Sequence, residues 1–337
     1  MKPHRIVFIL VLGILLACAV VYLSAGKWKI EPSASAAESA KAYLGRWDLT
    51  LHAPDREYPS WLELREDGGQ LKAEFVGRWG NARPLPKVEL SNGKLTFVSP
   101  KAEEDLPVDM VFEGSLTEKT VSGKIVAGMT MSGKVNGPNG ATWQWTGERA
   151  PSLDRKSTPK WGSPVALFNG KDLTGWKMSG KGKSEWKVEN GILITPGEGP
   201  ELINGSKFED FKLHVEFNCG PSSNSGVYLR GRYEVQIETD SANEGPMHHT
   251  GSVYGFIAPS PELPRKANEW QTYDITLIGR RATVVQNGQT VIDNKEIPGI
   301  TGGALDSHEG LPGPIYLQGS EKGYVQFRKI VITPAEK

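Results

Sequence analysis

Tyr233-Glu234-Val235-Gln236-Ile237-Glu238-Thr239 alternates apolar and polar residues without a break. Side chains two apart on a strand share a face, so Tyr233, Val235 and Ile237 point one way and Glu234, Gln236 and Glu238 the other. That period is a strand signal and excludes a helix here. Working outward, Phe208–Asn218, Ser225–Arg230, Thr272–Ile278, Thr283–Gln286, Pro314–Gln318 and Val325–Ile332 all alternate or run apolar. Asn190-Gly191 and Asn287-Gly288 supply hairpin turns between such runs. These features predict a two-sheet antiparallel sandwich over residues 165–334.

A second set of strand-like runs lies upstream. In Arg46–His52, Trp47, Leu49 and Leu51 alternate with polar neighbours, and Trp61–Leu64, Leu71–Val76, Lys94–Val98, Val108–Gly114, Thr120–Ala127 and Thr142–Thr146 follow. Asp67-Gly68-Gly69 and Asn92-Gly93 are turn sequences. Residues 44–149 therefore read as a small β-barrel or sandwich, an accessory module without paired carboxylates or clustered histidines. The Pro-containing segment 150–164 reads as a linker between two independently folding modules. Composition agrees with an all-β chain: 39 Gly and 23 Pro make about 18% of 337 residues, against about 12% usually. Lys+Arg and Asp+Glu balance at 39 each, which argues against nucleic acid as a partner. Cys18 and Cys219 supply no disulfide framework.

The N-terminus reads as an export or membrane signal. Lys2, His4 and Arg5 precede Ile6–Ala25, an uncharged run of bilayer-spanning length. Three outcomes fit residues 1–26: an uncleaved signal anchor, a signal peptide cleaved near Ala34-Ser35-Ala36, or lipidation at Cys18 in Leu15-Leu16-Ala17-Cys18. Residues 27–43 then form a tether of mostly small and polar side chains. Each outcome places the folded part outside the cytoplasm, in the periplasm or at the cell surface, with the N-terminal segment contacting the membrane.

Within 165–334 a set of motifs occurs in order. Leu167-Phe168-Asn169-Gly170-Lys171-Asp172-Leu173-Thr174-Gly175-Trp176 opens it, followed by Trp186-Lys187-Val188-Glu189-Asn190-Gly191-Ile192-Leu193. Phe208-Glu209-Asp210-Phe211, Asn224-Ser225-Gly226-Val227-Tyr228-Leu229-Arg230 and Tyr233-Glu234-Val235-Gln236-Ile237 come next. Glu269-Trp270-Gln271, Asn287-Gly288 and Pro312-Gly313-Pro314-Ile315-Tyr316-Leu317-Gln318-Gly319 complete the order. Together they resemble the 3-keto-disaccharide hydrolase family. The resemblance implies a concanavalin-A-like jelly roll related to lectins and glucanases, and activity on 3-keto-sugars. One departure stands out: many relatives carry Gln-Gly-Asp-His-Gly where this chain has Gln318-Gly319-Ser320-Glu321-Lys322-Gly323.

The strand pleat turns these motifs into an expected sugar-binding groove. Glu216, Tyr228, Arg230, Glu234, Gln236, Glu238 and Gln318 should share polar faces, with Trp270 or Tyr228 for stacking on a sugar ring. Glu234 and Glu238 lie four residues apart on one strand, about 13 Å. Glycosidase pairs need about 5–5.5 Å (retaining) or 6.5–9.5 Å (inverting), so that pair fails, whereas a cross-strand pair of Glu216 with Glu234 could reach. The resemblance implies different chemistry. A C3 keto group acidifies the C2 proton, a base removes it, the C1 substituent departs with acid assistance, and water adds later. Glu234 is then the candidate base, Arg230 and Gln318 the enolate donors, and Tyr228 or His308 the acid. Asp240, Glu244 and His308-Glu309 with His248 or His249 could hold a divalent metal ion as cofactor. A non-catalytic carbohydrate-binding protein and a conventional glycosidase are the alternatives.

Overall fold

The computed structural model describes residues 40–336 except 79, 122–123, 138–139, 180–185, 196–198, 240–243 and 321. The expected membrane segment, and the tether up to residue 39, lie outside the described residues. Among those described, no helix is long and apolar enough to cross a membrane. Residues Leu44–Lys337 form one compact unit.

The first half is a single antiparallel meander. Its strands are β1 (Gly45–His52), β2 (Glu57–Asp67), β3 (Gln70–Val76), β4 (Arg83–Pro84), β5 (Lys87–Ser91), β6 (Lys94–Ser99), β7 (Met110–Val121), β8 (Lys124–Asn136) and β9 (Thr142–Arg149). They lie in the order β4-β3-β2-β1-β9-β8-β7-β6-β5, and the sheet curls until β3 approaches β5. Inward-facing aromatics explain the curl. Phe97 and Phe112 stack at 4.4 Å, with Phe75 and Trp145 edge-on around them, and such pairs stabilise beyond their buried area.

The second half contains β10 (Val165–Ala166), β11 (Trp176–Met178), β12 (Lys187–Glu189), β13 (Ile192–Thr195), β14 (Leu202–Asn204), β15 (Phe211–Cys219), β16 (Asn224–Leu229), β17 (Tyr233–Glu238), β18 (Gln271–Ile278), β19 (Arg281–Gln286), β20 (Gln289–Glu296), β21 (Tyr316–Leu317) and β22 (Val325–Pro334). One sheet runs β12-β13-β22-β15-β18-β19-β20, with β10 also on β22; the other runs β11-β14-β21-β16-β17. This is the expected jelly-roll sandwich. Asn190-Gly191 and Asn287-Gly288 link β12 to β13 and β19 to β20 with positive φ at both positions, as two-residue hairpin turns require. Between the sheets lie Leu213, Val215 and Phe217 of β15, Val227 and Leu229 of β16, and Val235 and Ile237 of β17.

The two halves share buried contacts. Trp61 of β2 is fully buried, meets Phe256 edge-on at 5.2 Å, and joins the core of the sandwich. The segment 150–164 has no buried residue, yet it is tied to the second half at several points. Arg155 pairs with Asp210 at 2.7 Å, and Arg280 donates to the Pro151 carbonyl at 2.9 Å. A Cβ on Gly299 would collide with the Trp61 ring. Gly299→Ala is therefore expected to cost about 1–3 kcal/mol through overpacking, measured as a lower urea midpoint with an unchanged slope. A midpoint equal to wild type would show that this contact yields without cost.

Candidate functional site

Register brings the site together. In the β16–β17 pair, Tyr228 lies opposite Glu234 and Gly226 opposite Gln236; in the β16–β21 pair, Tyr228 lies opposite Tyr316. Alternate residues share a face, so Tyr316, Tyr228 and Glu234 form a row across three strands, with Gln236 beside it. An outer face of an antiparallel sheet ordinarily meets water. Here all six residues of β17 are buried, and the polar face lines a cavity of about 380 Å³. Glu201, Asn224, Tyr254, Gln318 and Ser320 also line it, together with Gly80 from the first half.

At its floor Tyr228 Oη lies 2.8 Å from Glu234 Oε2 and 2.7 Å from the Gly302 carbonyl. Tyr316 stacks on the Tyr228 ring at 4.1 Å. Thr301 Oγ1 accepts the Glu234 amide at 3.1 Å, fixing the strand beneath the carboxylate. Gly226 is needed for close approach, since a Cβ there would strike Glu234 Oε1. Burial, followed by the Glu234 charge, pushes the Tyr228 phenol well above its ordinary value. The phenol therefore keeps its proton through neutral pH. Gln236 Nε2 donates to Asn224 Oδ1 at 3.2 Å, while its buried Oε1 meets no donor among the described residues.

Glu234, Tyr228, Gln236 and Gln318 thus converge; the other expected residues do not. Arg230 leaves the polar face because β16 ends at Leu229 and Arg230 turns with φ of 53°. Its guanidinium donates to Tyr233 Oη at 2.8 Å and to the Gly279 carbonyl at 3.0 Å. Glu216 belongs to β15 in the other sheet, so the expected pair with Glu234 does not form. Partial burial works to raise the Glu216 carboxyl, but hydrogen bonds from Arg328, His214 and Lys329 hold it below its ordinary value. Trp270 precedes β18 in that same sheet and lies under Arg328 at 4.0 Å. Glu238 is on the right strand, but Thr250 and Arg265 engage it from above. His308 is exposed and lines a different cavity, beside Asp48 and Glu309.

The expected metal ligands separate as well. His248 pairs with Glu244 at 3.2 Å and packs on Tyr254, whereas His249 turns to Glu262 at 2.7 Å. Among the described residues no three His, Cys, Asp or Glu side chains converge to hold a metal. Asp240 lies outside the described residues. Sequence reasoning missed Glu201, Asn224 and Tyr254 as cavity residues. Asn224 begins the motif that contains Tyr228 and so had a signal; Glu201 and Tyr254 lie outside the strand pattern and had none.

Comparisons with known proteins match this half of the chain. A profile described as 3-keto-alpha-glucoside-1,2-lyase-like domain matches residues 163–333. A 3-keto-disaccharide hydrolase of Bacteroides thetaiotaomicron is 31% identical over 38% of this chain and 57% of the relative, so the match spans little more than half of that protein. A provisionally named glycosyl hydrolase of Parabacteroides distasonis ATCC 8503 superimposes with a TM-score of 0.43 at 26% identity, covering 53% of this chain and 92% of that one. The carbohydrate-binding module CBM66 of Bacillus subtilis gives a TM-score of 0.32 at 11% identity, covering 47% and 95%.

Proposed function

Because the chain belongs to the 3-keto-alpha-glucoside-1,2-lyase-like domain family through residues 163–333, we propose that the Tyr228–Glu234 cavity cleaves 3-keto-glycosides by elimination, with water then adding to the product. The observation that carries this reading is the buried Tyr228–Glu234 contact at 2.8 Å on the floor of a ligand-sized cavity.

Glu234 is the base. It takes the C2 proton, the C2–H electrons form the C1=C2 bond, and the C1–O bond breaks to release an alcohol. Water then adds hydroxyl to C1 and hydrogen to C2, so the sum is hydrolysis. Tyr228 has one proton for two acceptors, Glu234 Oε2 and the Gly302 carbonyl. Once Glu234 holds the substrate's proton, its carboxyl donates to the phenol and the phenol donates to Gly302. Both short contacts are then filled, which favours the protonated base left after abstraction. The raised phenol is a weak acid, so Tyr228 positions and relays rather than protonates the leaving oxygen. Glu201, the other carboxyl among the described residues that line the cavity, is assigned to that oxygen. Gln318 is assigned as donor to the enolate oxygen at C3.

The export expected from Ile6–Ala25 belongs to this reading, and would bring the cavity to extracytoplasmic sugars. The test is incubation of the purified chain with a 3-keto-disaccharide and with its unoxidised parent. Cleavage of the keto sugar alone is the expected result. Cleavage of the parent would favour a conventional glycosidase, and binding without cleavage a carbohydrate-binding protein. The latter accords with Ser320-Glu321-Lys322 standing where relatives carry Asp-His.

A further inference from the structure

The cavity is not built by the family domain alone. Gly80, which lies between β3 and β4 of the first half, lines it together with Tyr228 and Glu234. Several contacts hold the described residues on either side of Gly80. Arg83, at its end, reaches the carboxylate of Glu104 at 2.5 Å and the Ser99 hydroxyl at 2.7 Å, all three being buried. Gly77, at its start, has no side chain, and a Cβ there would collide with the same Glu104 carboxylate. Asn81 rests directly on Gly255, where a Cβ would strike the Asn81 backbone. Gly255 follows Tyr254, which also lines the cavity and donates its amide to the Glu234 carbonyl at 3.1 Å. Asn81, which follows Gly80, is thus seated on the loop bound to the β17 strand.

Gly80 takes φ of 83°, and among the described residues nothing lies within 4 Å of the position a Cβ would occupy. The missing side chain leaves open space at the cavity wall. We propose that Gly80 is a size-selecting wall residue of the glycoside cavity. On this view the first β module sets which substrates the second can take: its bare glycine admits a second sugar ring, and any side chain there narrows the cavity toward small aglycones. This rests on the glycoside reading above.

The test uses the full chain and two substrates, a 3-keto-disaccharide and the 3-keto form of a methyl glucoside. Gly80→Asn adds a side chain while tolerating the left-handed backbone. Gly69→Asn, at φ of 74° with equally open surroundings in the β2–β3 hairpin, controls for backbone strain. The expected result is a ratio of kcat/KM, disaccharide over methyl glucoside, lowered about tenfold or more in Gly80→Asn, in line with a pocket discriminating by a few atoms. Gly69→Asn keeps the wild-type ratio. An unchanged ratio in folded Gly80→Asn overturns the assignment while leaving the activity intact. If wild type cleaves neither sugar, the activity reading fails by itself. The ratio of calorimetric Kd values for the same two ligands then decides the role of Gly80 by the same criterion.

Discussion

Glu234→Gln should lower turnover of a 3-keto-glycoside by about 10²–10⁴-fold, the usual contribution of a positioned general base. The substitution keeps volume, so the carboxamide still lies over Gly226 where no larger residue would leave it room. Its NH₂ group can donate to the Tyr228 oxygen, while the phenol proton goes to the Gly302 carbonyl at 2.7 Å. The hydrogen bonds of the floor are therefore kept, and the melting temperature should stay close to wild type. Only the capacity to accept the C2 proton is lost. Affinity for the keto sugar, read by calorimetry, should change little. Retained turnover in the folded variant would remove Glu234 as the base and make Glu201, which also lines the cavity, the next carboxyl to test. Equal loss of binding and turnover would instead make Glu234 a sugar contact.

The structure puts Glu234 and Tyr228 on the cavity wall but not Arg230 and Glu216, which the same alternation had placed beside them, and the difference has a physical answer. A pleat is local, so alternation in Tyr233–Glu238 sets the face of every side chain on that strand, and all of them behave as the period requires. The hairpin turns are equally local, because Asn-Gly favours the positive φ values a two-residue turn needs. Arg230 fails because the alternation was carried one residue past the end of β16, into a left-handed turn. Glu216 fails for a different reason. β15 and β16 are consecutive, and both show a clean apolar face, but they enter opposite sheets. Strand partnership is decided by long-range packing, which a period of two does not encode. Glu238 shows a third limit: facing the right way does not keep Arg265 from covering it. Gly80 could not have been found from the strand pattern, since it enters the cavity from the other β module.

The same long-range packing creates a buried acid pair, for which a pH dependence of stability follows. Asp48 of β1 is 5% exposed and faces Glu309, which is fully buried in the second half. Glu309 already accepts from Tyr233 Oη and from Arg280 Nη2, both at 2.7 Å. Burial, then the charge of Glu309 and its hydrogen bond, push the Asp48 carboxyl up to about 10, against the pull of Arg280 and Arg232. Asp48 is therefore held as a neutral acid donating to Glu309, whereas in the unfolded chain it ionises near 3.9. A group whose pKa is raised by folding stabilises fully below its unfolded pKa and loses that contribution as pH rises toward the folded one. Stability should fall between about pH 4 and the folded value of about 10, with a slope from this group of at most about 1.4 kcal/mol per pH unit. Asp48→Asn supplies a neutral donor with no proton to lose. Urea unfolding at pH 5 and pH 9 should then show a flatter dependence than wild type, with the variant the more stable protein at pH 9. Glu309→Ala should behave oppositely, losing about 3–5 kcal/mol at both pH values because Arg280 is left buried without its carboxylate. An Asp48→Asn slope equal to wild type would mean that Asp48 is ionised in the fold, and that Arg280 and Arg232 outweigh burial between the two halves.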